Sequence, residues 1–148
     1  MRKMIVDLGC GTTKISGAIG IDRVLHPGVN IVSDLEYFLP LRSNSIDALH
    51  ASHTLEHINK LIPLMEEIYR VCKPEALVYI TVPYFTYEGA FRDPTHIRFF
   101  SEETFSYFQD PTPYGIKTDF QIQDISYKYR TIFRIFPKFI QKIFRRHP

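Results

Sequence analysis

The chain has 148 residues, 45% hydrophobic and 23% charged, with a formal net charge of +2. That size and balance suit one compact domain with an ordinary apolar core, and they exclude a disordered, collagen-like or disulfide-stapled chain. Two cysteines, Cys10 and Cys72, give no disulfide framework, and no apolar run reaches the length of a membrane span or signal peptide, so a cytoplasmic protein is expected.

In chain order, Met4, Ile5, Val6 and Leu8 read as a short strand of a parallel sheet, and Gly9 and Gly11 then let the backbone turn sharply. Only Thr12 to Gly17 separate this turn from the next apolar run. Crossover helices need about ten or more residues, so the first helix is expected to be missing or reduced to a turn. Ala18 to Ile21 is a second strand closed by Asp22, and Val29 to Ser33 a third closed by Asp34. Ser45 to Ala51 reads as the fourth strand, followed by a helical turn near Thr54 to Lys60. A helix then starts at Pro63, with Leu64, Ile68, Val71 and Cys72 on one face, and Lys73-Pro74 stops it. Leu77 to Val82 suits a central fifth strand, and Phe120 to Arg130 a late one. After Pro137, Phe139, Ile140, Ile143 and Phe144 fall on one helical face, with Lys138, Lys142, Arg145 and Arg146 on the other. From Ile125 onward there are seven bases and no acid. The expected organisation is one domain over 1–148, a core of 1–124 and a basic amphipathic helical tail of 125–148. The tail packs on the sheet with its bases in water, or lies against anionic lipid through residues 133–146. The fold class is α/β: a Rossmann-like, mostly parallel sheet with helices on both faces, a reduced first helix and a shortened late sheet.

Three successive strands ending in acids carry the functional signal. Asp7 stands where the first strand meets the glycine turn, and ligands of open α/β sheets bind at that carboxyl edge. Asp22, eleven positions after Gly11, occupies the place where Rossmann-like units put the acid that grips ribose hydroxyls. Any one of these aspartates alone is better read as a turn or helix cap. As a set they point to a nucleoside-like cofactor.

These residues resemble the class I S-adenosylmethionine-dependent methyltransferases, in particular the small-molecule branch similar to methyltransferase type 11. Asp7-Leu8-Gly9-Cys10-Gly11 resembles the first motif, Gly20-Ile21-Asp22 the second-strand acid, and Ser33-Asp34-Leu35 the adenine-contacting turn. Leu39-Pro40-Leu41, Ser45-Ile46-Asp47, Ser52 to His57 and Glu67 to Pro74 follow in order, covering roughly residues 3 to 100. The resemblance implies S-adenosylmethionine as cofactor. It places Asp7 and the Gly9, Cys10 and Gly11 backbone at the methionine end, Asp22 at the ribose, Asp34 and the Leu35 backbone at the adenine, and His53 near the amino acid portion.

Beyond the fifth strand, Val82-Pro83-Tyr84-Phe85 and Phe91 to His96 form an aromatic and polar loop at the same edge. Tyr84 and Phe85 are the candidate acceptor contacts. His96 has the ordinary pKa of a base for an acceptor hydroxyl, and Asp93 is its candidate partner; an alternative is that the two only fix the loop. A small-molecule or lipid-like acceptor is expected. DNA is not, because the Asn/Asp-Pro-Pro-aromatic sequence of amino-methylating DNA enzymes is absent after the fourth strand. With 21 Phe and Tyr residues, an apolar interface with another copy is also open.

Two other function classes compete. One is a non-catalytic module that keeps the fold and works through its basic tail. The other is a zinc hydrolase: His53-Thr54-Leu55-Glu56-His57 matches an inverted zinc-protease pattern, with His50 nearby. That pattern follows directly on a strand, and no glutamate after Glu103 supplies a third ligand, so no metal is expected there.

Overall fold

The computed structural model describes residues 3–109, 114–129 and 137–147. Its strands are β1 (Ile5–Leu8), β2 (Ile19–Asp22), β3 (Val29–Val32), β4 (Ile46–Ser52), β5 (Cys72–Pro83), β6 (Phe120–Tyr129) and β7 (Pro137–Arg146). Its helices are α1 (Leu61–Val71) and the single turn α2 (Gly89–Arg92), with 3-10 turns at Leu55–His57 and Glu103–Phe108. All seven strands join one sheet in the order β3-β2-β1-β4-β5-β7-β6. β1 to β5 pair in parallel, and β7 is antiparallel to both β5 and β6. The strand order reverses beside β1, which is where open α/β sheets leave a ligand crevice at their carboxyl ends.

Between β1 and β2 the chain forms turns rather than a helix, as its length requires. The late sheet is complete rather than shortened. The amphipathic C-terminal helix is a correction: residues 137–146 form strand β7. There Ile140, Lys142 and Phe144 alternate into the interior, a period of two that outweighs the helical spacing of the same residues. Lys142, placed on the polar face of a helix by the sequence, is 1% exposed; its Nζ donates to the Glu102 carbonyl and lies 5.6 Å from the Phe105 ring centre. A boundary at 124/125 would cut through β6. The proposed lipid-facing segment therefore lies within the sheet over 137–146, and residues 130–136 lie outside those described.

One face of the sheet carries the core. Val6, Leu8, Leu49, Ala51, Val78, Ile80, Val82, Ile140 and Phe144 join Leu64, Met65, Ile68 and Val71 of α1 in a single buried cluster. At about 25 cal/mol per Å2 of apolar area, this cluster is the main source of stability. On the opposite face Ala48, His50, Leu77, Tyr79, Gln141 and Ile143 stay half-buried, and α1 is the one α-helix longer than about a turn among the described residues. Helix cover on both faces is therefore lighter than expected. The helix-free stretch between β3 and β4 is instead tied to α1. Glu67 accepts from Leu39 N (2.9 Å), while Arg70 pairs with Glu67 (2.7 Å) and donates to the Leu39 and Leu41 carbonyls.

Candidate functional site

The glycine turn is fixed by geometry. Gly9 has φ of 61°, in the left-handed region, and a Cβ there would stand 2.4 Å from Thr54 Oγ1. That hydroxyl donates to the Leu8 carbonyl at 3.0 Å, so Thr54, at the end of β4, clamps the end of β1. Gly9 N and Cys10 N donate to the Ile21 carbonyl, at 2.8 and 3.3 Å, which joins the turn to β2.

The strand-end acids hold backbone amides. Asp7, 4% exposed, accepts from Ile15 N at 2.8 Å and so orders the short loop after the turn. Asp22 accepts from Gly11 N with Oδ2 (2.9 Å) and from Val24 N with Oδ1 (3.0 Å). Asp34 accepts from Glu36 N at 3.0 Å. Glu36 in turn accepts from Asn59 N and Lys60 N; burial raises its pKa, but these hydrogen bonds outweigh it and hold the carboxyl below the usual range.

A cavity of about 220 Å3 opens at this edge, lined by Gly9, Asp22, Arg23, Asp34, Leu35, Glu36, His53, Thr54, His57, Ile58 and Thr95. Five of the expected cofactor residues, Gly9, Asp22, Asp34, Leu35 and His53, thus meet on one wall. Asp7 and Cys10 do not; they line a separate space of about 420 Å3 with Thr13, Ile15, His50 and Tyr79, and Gly9 and His53 stand between the two. Gly11 lines neither. Burial, with Asp7 and Asp22 nearby, pushes the Cys10 thiol up, so it is a poor nucleophile.

A third space, of about 510 Å3, is bounded by His53, Pro83, Tyr87, Gly89, Arg92, Asp93, Pro94, His96 and Phe139. It brings His96 and Asp93 together as expected, His96 Nε2 lying 3.8 Å from Asp93 Oδ2. His96 Nδ1 donates to the Ala90 carbonyl at 3.0 Å. Hydrogen bonds from the Thr95 side chain and backbone hold Asp93 below its ordinary pKa, helped by His96 and His57. Tyr84 and Phe85 are not on this wall: Tyr84 packs edge-on against Tyr127, and Phe85 N bonds to the Phe100 carbonyl. Tyr87, Arg92 and Phe139 take their place. Arg92 belongs to the expected acceptor loop, while sequence reasoning passed over Tyr87 and Phe139, because the side chains that reach the space follow from how the chain before α2 and β7 is placed.

The His53 to His57 segment is not an α-helix. His53 takes φ of 53°, its Nδ1 lies 3.3 Å from Glu56 Oε1, and its ring meets Phe139 edge-on at 4.7 Å. His50 stacks on Tyr79 at 4.5 Å, on the other side of the sheet, and burial lowers its pKa.

The donor set suits a nucleoside bearing hydroxyls, an amine and a positive charge. The first cavity presents three carboxylates, Asp22, Asp34 and Glu36, against one guanidinium, Arg23, with the apolar Leu35 and Ile58 alongside. Such a wall accepts hydrogen bonds and repels phosphate. S-adenosylmethionine has this chemistry.

Residues 18–80 match the family model described as a methyltransferase domain. No curated protein matches the chain. Among solved structures, the fold is similar to a putative methyltransferase from Haloferax volcanii, solved in complex with the activator Trm112 (TM-score 0.71, 16% identity, 99% of this chain and 83% of that one). It is also similar to an S-adenosylmethionine-dependent methyltransferase from Archaeoglobus fulgidus (0.70, 20%, 97% and 86%). A [4+2]-cyclase, SpnF, shares it as well (0.68, 17%, 98% and 74%).

Proposed function

We propose that the chain is a class I S-adenosylmethionine-dependent methyltransferase, as its fold and the methyltransferase-domain match over residues 18–80 support, and that it methylates a small-molecule or lipid-like acceptor. The observation that carries this reading is the convergence of Gly9, Asp22, Asp34, Leu35 and His53 on one cavity. Asp22 accepts the ribose hydroxyls, Asp34 and the Leu35 backbone face the adenine, and Gly9 permits close approach. The methionine portion passes His53 toward Asp7, Cys10 and Gly11. When bound, the cofactor supplies a methyl group activated on a sulfonium. The chain's own residues then contribute alignment and exclusion of water.

The acceptor binds in the third space, between Tyr87, Arg92 and Phe139. His96 keeps its Nδ1 proton on the Ala90 carbonyl, which leaves the Nε2 lone pair to take the proton of an acceptor hydroxyl. Asp93 stabilises the imidazolium that results. A module acting through a basic tail finds less support, since Lys142 is buried in the sheet.

Calorimetric titration with S-adenosylmethionine and its demethylated product tests the cofactor assignment. Saturable binding, weakened tenfold or more by Asp22→Ala, is the expected result. A folded chain that binds neither ligand rules the reading out.

A further inference from the structure

We propose that Glu56, His57 and His96 form a binding site for one divalent transition-metal ion, at the wall between the nucleoside cavity and the acceptor space. A carboxylate oxygen of Glu56 and one ring nitrogen of each histidine lie within 4.8 Å of one another. Glu56 and His57 sit on the turn after β4, and His96 comes from the loop after α2.

Glu56 is 1% exposed, and its Oε2 has no hydrogen-bond partner among the described residues. A buried carboxylate oxygen without a partner is costly, and a cation removes that cost. Both histidines have Nδ1 engaged elsewhere, which leaves Nε2 for an ion. His57 Nδ1 lies 3.2 Å from the Thr95 carbonyl and 3.0 Å from Thr95 Oγ1, while His96 Nδ1 lies 3.0 Å from the Ala90 carbonyl. A carbonyl only accepts, so each Nδ1 carries the proton and each lone pair is at Nε2. Metal-ligating histidines are commonly held in this way, by a carbonyl on the nitrogen that does not bind the ion. The loop is also fastened to the turn through its backbone, since Ile97 N and Arg98 N donate to the Glu56 carbonyl at 2.9 and 3.2 Å. A tetrahedral ion with bonds of about 2.1 Å holds its donors about 3.4 Å apart, so small side-chain rotations close the set.

Two imidazoles and one carboxylate suit zinc, iron(II), cobalt or manganese, and leave positions free for another ligand. Glu56 is a ligand here rather than a base, and His53 is not part of the set. His57 and Thr95 line the nucleoside cavity, and Asp93 and His96 the acceptor space, so an acceptor oxygen would complete the coordination. With the ion bound, the His96 lone pair is taken, and the acceptor hydroxyl is acidified by the metal instead. That use rests on the methyltransferase reading; binding of the ion does not.

The full chain, freed of metal with a chelator, is titrated with Co2+ followed by visible absorption, then with Zn2+ by calorimetry. One equivalent of Co2+ displaced by one of Zn2+ is expected, with affinity falling at least tenfold in Glu56→Gln and His96→Ala and unchanged in His26→Ala. His96→Cys restores binding and adds a sulfur-to-cobalt absorption band. A folded chain that takes up no Zn2+, or takes it up equally well after Glu56→Gln and His96→Ala, overturns the proposal. S-adenosylmethionine titrated into the same variants reports separately on the cofactor site.

Discussion

The two halves of the sheet are held by different forces. β1, β2 and β3 have four residues each, and their connections are ordered by carboxylates gripping backbone amides: Asp7 on Ile15, Asp22 on Gly11 and Val24, Asp34 on Glu36. β5, β6 and β7 have ten to twelve residues and are ordered by packing, with Phe144 edge-on to both Phe105 and Phe120. The first half supplies Gly9, Asp22, Arg23, Asp34, Leu35 and Glu36 to the nucleoside cavity, and there the groups that order the loops are the groups that would hold the ligand. Ligand binding and loop order are coupled there by construction, and the packed half supplies a frame that needs no ligand.

The largest expected effect tests the packed half. Phe144→Ala removes a fully buried ring and should cost about 3–5 kcal/mol in denaturant unfolding, with or without cofactor. Gly9→Ala strikes the other half, forcing a Cβ against Thr54 from a left-handed backbone. A loss of about 2 kcal/mol, with cofactor binding abolished in calorimetry, is expected. Asp22→Ala frees two amides at a cost of about 1–2 kcal/mol, and hydrogen exchange should quicken in 9–24 but not in β5 to β7. Equal quickening everywhere would erase the distinction between the halves.

The halves should also part in their response to pH. Glu67 and Glu36 are held below their ordinary pKa, in each case by hydrogen bonds that outweigh burial, and Asp47 by its bond from Lys73. Their contribution is present above the unfolded carboxylate pKa of about 4 and is lost as pH falls through the lower folded values. The Ser33 to Ser45 stretch should therefore loosen first in acid, read by proteolysis. In the packed half, burial lowers the Lys142 pKa against the opposing pull of Glu102 and Glu103. The unfolded chain then binds the extra proton, so stability rises with pH from the folded value toward about 10.4. Lys142→Met should flatten that slope, the smallest of these effects.

What the sequence made legible divides along the same line. Each strand-end acid announced its loop, because a short apolar run closed by Asp beside glycine is a local signal, and the six residues after Gly11 excluded a helix by length alone. The last strand was hidden because Phe139, Ile140, Ile143 and Phe144 satisfy a helical period as well as Ile140, Lys142 and Phe144 satisfy a strand period. A lysine in the interior argued for the wrong one, and only the slot between β5 and β6 decides it. The Glu56, His57 and His96 cluster was half visible. Its first two members are adjacent, but the third arrives from a loop 39 residues on, which no spacing rule connects to them.

The position of β7 also has a consequence for how the molecule is made. β6 leaves the ribosome before β7, yet among the described strands it pairs only with β7, and the flank of β5 that β7 covers has been waiting since residue 83. A nascent chain stopped short of residue 137 therefore leaves unpaired two strand edges that the finished sheet pairs, the geometry that recruits other chains. Completion of this sheet depends on a single late insertion, and chaperone demand during synthesis should fall steeply once residues 137–146 have emerged.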